Sequence, residues 1–144
     1  MSEGWTEVKA TWLGEMAFRG ENAAGARMQI GDLGDQKGIG PMQMLLLGVA
    51  GCTGMDIVSI LRKKRLELTD FQVRVRAPRA STYPMVYTEI HVEYLLWGEN
   101  LPVKDVEQAI QLSEEKYCSA GIMLRKAAPI YSTYRILKPG ETAD

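Results

Sequence analysis

The sequence has little of the two residue types that most often carry soft-metal and disulfide chemistry: one histidine and two cysteines among 144 residues. Two cysteines are too few for the disulfide framework of a small secreted domain. A zinc site takes three or four protein ligands, and these three residues are far apart along the chain, so no metal site is predicted. His91 lies between Glu89 and Glu93 in an alternating stretch and is predicted to be a surface strand residue.

The sequence also lacks an excess of charge of either sign. Its formal net charge is −1, so no overall field favours nucleic acid or an anionic membrane surface. The N-terminal stretch MSEGWTEVKA has no apolar run after basic residues, and no signal peptide is therefore predicted. We expect one domain over residues 1–144, in a cytoplasmic protein without nucleic-acid or membrane partners and without a cofactor.

The longest apolar stretch runs from Gly40 to Arg65, reading GPMQMLLLGVAGCTGMDIVSILRKKR. Pro41 suits the first turn of a helix, and the four closing cations suit its C-terminus, where the macrodipole is negative. A helix that is apolar nearly all round is predicted to be buried. The stretch is interrupted, and polar around Asp56, which argues against a membrane span.

A cysteine, Cys52, lies in the middle of this predicted helix, and it shares a face with Gly48, Gly51 and Met55. The helix interior holds three glycines, Gly48, Gly51 and Gly54, and each costs about 0.8–1 kcal/mol relative to alanine there. The expected compensation is a close approach by another backbone. Such an approach would bring a second segment up against the Cys52 sulfur.

The rest of the chain divides into strands and helices that are segregated more than alternated, which indicates an α+β fold. Strand patterns with period two precede and follow the central helix, and a glycine-rich connector leads into it. The predicted strands are Trp5–Leu13, Met16–Arg19, Ala26–Ile30, Asp70–Ala77, Val86–Trp97 and Ile130–Leu137. The first three are predicted to form a meander, and Asp70–Ala77 and Val86–Trp97 an antiparallel pair. A second helix is predicted from Pro102, and a third over Ala120–Ala127 with Ser119 as its N-cap.

The two cysteines, Cys52 and Cys118, can meet only through the tertiary fold. Cys118 precedes a predicted helix start, where N–H groups and the positive dipole end favour a thiolate. Burial of Cys52 in an apolar helix raises the pKa of its thiol, so a reactive Cys52 needs a neighbouring cation. The candidate cations are Arg19, Lys116 and Arg125. The alternative is that both cysteines are small buried apolar residues.

Two segments resemble the motifs of a known family. The segment Pro41-Met42-Gln43-Met44-Leu45, followed by Leu47, Ala50, Gly51 and Cys52, resembles the central helix of the OsmC/Ohr family of osmotically inducible and organic-hydroperoxide-resistance proteins. The segment Lys116-Tyr117-Cys118 resembles the second cysteine motif of that family, and the order of elements matches over nearly the whole chain.

The resemblance implies an α+β fold of antiparallel sheets with a long buried central helix, assembled as an intertwined homodimer with active sites at the dimer interface. It also implies a thiol peroxidase that reduces hydroperoxides and is reset by a dithiol reductant. By this analogy Cys52 is the peroxidatic cysteine, Cys118 the resolving cysteine, and Arg19 the activating arginine from the N-terminal strands.

One position departs from the family pattern. Peroxidase members carry glutamate directly after the helix-opening proline, and this sequence has Met42 there. The departure favours an alternative, in which an OsmC-like protein binds a small apolar ligand at the same interface without catalysis. A third possibility is a structural cysteine pair in a protein that acts through partners.

Overall fold

The structure is a computed structural model that describes residues 4–144. The chain packs into two compact units, the first reaching to Leu45 and the second covering Leu46–Asp144. The division falls one turn inside the central helix, so it does not coincide with a linker. A single domain over residues 1–144 stays a prediction.

The first unit holds an antiparallel three-stranded sheet in the order β1 (Val8–Gly14), β2 (Ala17–Asn22) and β3 (Arg27–Ile30). This confirms the predicted N-terminal meander, with the second strand shifted toward the C-terminus. The following residues, 31–40, form the predicted connector. Gly38 is required there, because a Cβ at this position would lie 2.0 Å from the carbonyl oxygen of Gly31.

The predicted central helix is present as α1 (Pro41–Lys63). It ends where Arg65 takes a left-handed φ of 60° and the N–H of Leu66 donates to the carbonyl of Leu61, an arrangement that satisfies a terminal carbonyl. The prediction that α1 is buried nearly all round is wrong for the single chain. Its buried residues form one stripe at four-residue spacing: Val49, Thr53, Ile57 and Leu61.

The opposite side of α1 is open to solvent in the single chain. Leu47 is 51% exposed and Met55 is 77% exposed. By length and composition alone, α1 is the one helix among the described residues that is apolar enough to cross a membrane. Core helices of folded domains satisfy the same criterion, and the buried stripe of α1 joins a core cluster with strand and helix side chains of the second unit.

The second unit has a mixed sheet of β4 (Asp70–Arg76), β5 (Ile90–Trp97) and β6 (Ile130–Leu137), in that order. The predicted antiparallel pair of β4 and β5 is confirmed, whereas the parallel pairing of β5 with β6 was not predicted. A parallel pair needs a long crossover, and the two helices between these strands supply it. As the central strand, β5 is largely buried, although His91 lies on a partly exposed position.

The crossover consists of α2 (Val103–Leu112), one turn of π-helix (Ser113–Tyr117) and α3 (Ser119–Arg125). The N-cap of α3 is Cys118 rather than the predicted Ser119, since its sulfur accepts a hydrogen bond from the N–H of Gly121. The backbone N–H of Cys118 donates to the carbonyl of Ser113 at 2.7 Å, which closes the π-turn. The π-turn therefore determines where Cys118 lies.

Candidate functional site

Two thiols and one carboxylate of the second unit converge at one point. Cys52 and Asp56 lie one turn apart on α1, and Cys118 reaches them from the junction of the π-turn with α3. The two sulfurs and a carboxylate oxygen of Asp56 all lie within 4.8 Å of one another. The fold thus brings together two cysteines that are remote along the chain.

Both thiols are free, but their surroundings differ. Cys118 is 2% exposed, whereas Cys52 is only half-buried and remains open to a small reagent. A reagent entering from solvent therefore meets Cys52 first.

Burial is the largest cause that raises the pKa of the Cys118 thiol, and together with the hydrogen bond to Cys52 and the nearby acidic groups of Cys52 and Asp56 it brings this pKa to about 11. The N–H of Gly121 acts in the opposite direction and is outweighed. The expectation that the helix start makes Cys118 a thiolate is therefore wrong. Cys118 keeps its proton at neutral pH, and in its hydrogen bond with Cys52 it is the donor.

A chain of hydroxyl groups leads from Asp56 into the second unit. Ser113 Oγ donates to Asp56 Oδ2 at 3.0 Å and lies 2.8 Å from Thr53 Oγ1. Thr53 Oγ1 lies 3.1 Å from the Tyr94 hydroxyl, which lies 2.7 Å from Glu114 Oε2. Four hydrogen-bond links thus connect two carboxylates through three hydroxyl groups.

At the two ends of the chain, Ser113 donates to Asp56 and Tyr94 donates to Glu114, so the single Thr53 proton is donated to one of its two neighbours at a time. Burial raises the pKa of the Tyr94 phenol far above its usual range, and its hydroxyl therefore stays protonated.

The three candidate cations occupy different places. Lys116 Nζ lies 5.3 Å from the centre of the Tyr117 ring, and Arg125 donates to the carbonyl oxygen of Glu114 at 3.0 Å. Arg19 lies on β2 in the first unit, 4.0 Å from the Glu21 carboxylate. Within residues 4–144, the Nε of Arg19 is the buried side-chain nitrogen without a hydrogen-bond partner.

Both cysteines were predicted from the sequence, and the four-residue spacing of Asp56 from Cys52 places these two on one helix face, but the hydroxyl chain was not predicted. The available signal was Thr53, a polar residue on the apolar stripe of α1 with Val49 and Ile57 four positions to either side. A buried hydroxyl needs a partner, so a polar residue on such a stripe indicates a network. The π-turn had no such signal, although turns of this kind recur at functional sites.

The family model of the OsmC-like proteins matches residues 34–133 of this chain. Protein YhfA of Escherichia coli (strain K12) is 33% identical over 131 residues, which cover 91% of this chain and 98% of YhfA. A crystal structure of a hypothetical protein from Aquifex aeolicus VF5 is similar at a TM-score of 0.84 and 30% identity, over 93% of this chain and 97% of that one.

A more remote similarity extends to the organic hydroperoxide resistance protein OhrB of Bacillus subtilis. Its structure covers 91% of this chain and 98% of its own at a TM-score of 0.62, but at 16% identity, which establishes a shared fold alone. The two cysteine motifs, the α+β architecture and the family match over more than half of the chain agree. The protein belongs to the OsmC family.

Proposed function

We propose that the protein reduces organic hydroperoxides with Cys52 as the attacking thiolate and Cys118 as the resolving thiol. The observation that carries this proposal is a pair of free sulfurs within 4.8 Å, one half-buried and the other buried and protonated. A nucleophile has to meet its substrate, and a buried thiol that keeps its proton does not compete with it for the peroxide. The two environments suit these two roles.

The chemistry runs in three steps. The Cys52 thiolate attacks the terminal oxygen of the peroxide, the O–O bond breaks, and the alkoxide takes up a proton and leaves as the alcohol. Cys118 then attacks the Cys52 sulfenic acid, so that an S–S bond forms and the thiol proton departs with the hydroxyl as water. A dithiol reductant exchanges with the disulfide, returns both cysteines to thiols and is itself oxidised to a disulfide.

The negative charge of Asp56 opposes a thiolate on Cys52, so the reaction needs a cation beside Cys52. Lys116 and Arg125 of the second unit make their contacts elsewhere, with the Tyr117 ring and with the Glu114 carbonyl oxygen. We propose Arg19 for this role. Among the described residues, its buried Nε has no hydrogen-bond partner, which supports the proposal that this N–H donates to an acceptor such as the substrate or a thiolate.

We further propose a homodimer that works in the cytoplasm, where dithiol reductants keep thiols reduced. The support lies on the exposed side of α1. A Cβ at Gly48 or Gly51 would meet nothing within 4 Å in the described chain, so the predicted close approach of a backbone is not made within one chain. A second copy seated on this side would use the glycines and cover Leu47 and Met55.

The test is consumption of an organic hydroperoxide and of hydrogen peroxide by the reduced protein with a dithiol donor. We expect turnover that prefers the organic peroxide and that disappears in Cys52→Ser. Cys118→Ser should retain one turnover per chain and accumulate a Cys52 sulfenic acid. Wild-type protein without consumption, or Cys52→Ser with an unchanged rate, contradicts the proposal.

A second candidate function has an observation of its own. The first unit contains an apolar cavity of about 290 Å³ lined by residues that include Val8, Ala10, Met28, Ile30 and Met44. Together with Met42 in place of the family glutamate, it favours a protein that binds a small apolar ligand without catalysis. Native mass spectrometry of Cys52→Ser, together with the peroxide assay of wild type, separates the two functions. A ligand retained by Cys52→Ser, combined with no peroxide consumption by wild type, supports binding alone.

A further inference from the structure

We infer that Cys52, Asp56 and Cys118 together form a binding site for a thiophilic divalent cation, with Zn²⁺ as the expected ion. The three donor atoms already lie within 4.8 Å of one another. No metal site was predicted from the sequence, because His91 was the only candidate considered as a third ligand beside the two cysteines. The fold supplies Asp56 instead, one helical turn from Cys52.

The spacing of the donor atoms is close to what zinc requires. Zn–S bonds of about 2.3 Å at tetrahedral angles place two sulfurs roughly 3.8 Å apart, and a carboxylate oxygen binds at about 2.0–2.2 Å. The observed limit of 4.8 Å therefore calls for a contraction of about 1 Å at most, within the range of side-chain rotation. No movement of α1 or α3 is needed.

Two of the three donors are already oriented by hydrogen bonds. Ser113 Oγ donates to Asp56 Oδ2 at 3.0 Å, which leaves the other carboxylate oxygen for a metal ion. The N–H of Gly121 donates to Cys118 Sγ at 3.3 Å. Outer-shell hydrogen bonds of this kind fix the ligands of metal sites and reduce the reorganisation on binding.

The charge at the site also favours a cation. A divalent ion bound to the two sulfurs and the Asp56 carboxylate deprotonates the thiols and neutralises most of the resulting negative charge. Two sulfurs select Zn²⁺ or Cd²⁺ over Mg²⁺ and Ca²⁺, which prefer oxygen ligands.

Three protein ligands leave a fourth position, which a water molecule can occupy. The ion would occupy both sulfurs that the proposed peroxide reduction uses. A consequence that rests on the proposed function is that Zn²⁺ inhibits peroxide reduction and that a chelator restores it.

The binding test needs no peroxide, so its result is independent of the peroxidase proposal. Reduced full-length protein is titrated anaerobically with Cd²⁺ alone, and the cadmium–thiolate charge-transfer absorption and proton release are recorded; Zn²⁺ then competes with the bound Cd²⁺. We expect one ion per chain and the release of protons. Cys52→Ser, Cys118→Ser and Asp56→Asn should each weaken binding by at least about tenfold.

Asp70→Asn is the matched control, because Asp70 is an exposed carboxylate at the start of β4, and it should bind Cd²⁺ like wild type. Circular dichroism shows whether each variant is folded, and Asp56→Asn is the informative one because it preserves both thiols and an acceptor for Ser113. The site is overturned if reduced wild-type protein shows no thiolate absorption with Cd²⁺. Equal affinity in folded Asp56→Asn and Asp70→Asn would also overturn it.

Discussion

At the scale of single residues, the two thiols are distinguished by burial and by charge. Cys118 is buried beside two acidic groups, and its hydrogen bond from Gly121 does not offset them. Cys52 sits on the edge of the same cluster with part of its surface open. The different protonation and access of the pair follow from their positions and not from any difference in residue type.

The raised pKa of the Cys118 thiol predicts that the protein loses stability at high pH. Its folded-state pKa of about 11 lies above the ordinary value of 9.0, so the neutral thiol is favoured by folding. The stabilisation is present below pH 9 and is lost between about pH 9 and 11, by on the order of 2–3 kcal/mol at about 1.4 kcal/mol per pH unit. Urea unfolding of wild type and Cys118→Ser at pH 8 and pH 11 measures it.

Burial of Tyr94 adds a loss of the same sign, but this contribution is common to both proteins and cancels in the comparison. Wild type should therefore lose more of its free energy of unfolding than Cys118→Ser. Equal losses in the two proteins would show that the Cys118 thiol is not the group that titrates.

Replacing Arg19 should lower the rate of peroxide reduction, whereas replacing the neighbouring Arg27 should not. Arg19 and Arg27 both form ion pairs with Glu21, at 4.0 Å and 3.3 Å, so replacing either removes the same charge from the same surface cluster. Only Arg19 has a buried Nε without a partner in the described part of the chain. We expect Arg19→Ala to lower kcat/KM by at least about tenfold, and Arg27→Ala to stay within about twofold.

Steady-state consumption of the organic hydroperoxide by both variants, with alkylation of Cys52 at several pH values, checks this assignment. Arg19→Ala should also shift Cys52 alkylation toward higher pH. Parallel effects of the two arginines would instead indicate that only the overall charge of the strand surface matters.

At the scale of elements, a buried hydroxyl pair joins α1 to the π-turn. Thr53 is 2% exposed, and its Oγ1 lies 2.8 Å from Ser113 Oγ, which in turn holds Asp56. Both hydroxyls are buried, so each needs partners within the protein, and the bond between them is one of the two that each makes. This contact connects the helix that carries Cys52 to the turn that positions Cys118.

A double-mutant cycle of Thr53→Val and Ser113→Ala should reveal this coupling. Each single variant leaves a buried hydroxyl short of a partner and should lower the free energy of unfolding by about 1–3 kcal/mol. The double variant should cost less than the sum, by about 0.5–1.5 kcal/mol. Urea unfolding at pH 7 gives the three values.

Thr53→Val combined with Thr133→Val is the additive control, since Thr133 lies exposed on β6. Additive losses in the Thr53 and Ser113 cycle would mean that the two hydroxyls are stabilised independently. The same variants should change the positions of the sulfurs, so the yield of the Cys52–Cys118 disulfide is a second measurement.

At the scale of the whole molecule, the single chain leaves one side of α1 uncovered. Gly48 and Gly51 face open space, and the exposed apolar side chains beside them are of the kind that association buries. The proposed homodimer would explain why Gly48 and Gly51 are tolerated in a 23-residue helix.

Met55→Glu should weaken dimerisation, because Met55 is 77% exposed in the single chain and a charge there would be buried without a partner on association. We expect sedimentation velocity to show a dimer for wild type and a dissociation constant raised by at least about tenfold in the variant. Met123→Glu is the matched control, since Met123 is similarly exposed but lies on α3. A monomeric wild type, or a dimer equally stable in both variants, would contradict this interface.

Much of the fold was predictable from local patterns. The start of α1 at Pro41, the alternation of β4 and the bounds of β6 depend on chemistry within a few residues, and each agrees with the structure. The cap at Cys118 and the π-turn were not predictable in this way. The π-turn depends on a hydrogen bond between backbone groups five residues apart, and the cap depends on a sulfur that accepts from the N–H of Gly121. The sequence carries no distinct signal for either bond.

Most helices and strands, the family and the two cysteines were predictable from the amino-acid sequence, because periodicity, turn residues and motifs are local properties of a chain. The folded chain was needed to show that both sulfurs meet Asp56 within 4.8 Å, that β6 runs parallel to β5, and that one side of α1 remains open. These depend on side chains that are distant along the chain. Their contacts form only when the crossover folds back and buries its apolar face.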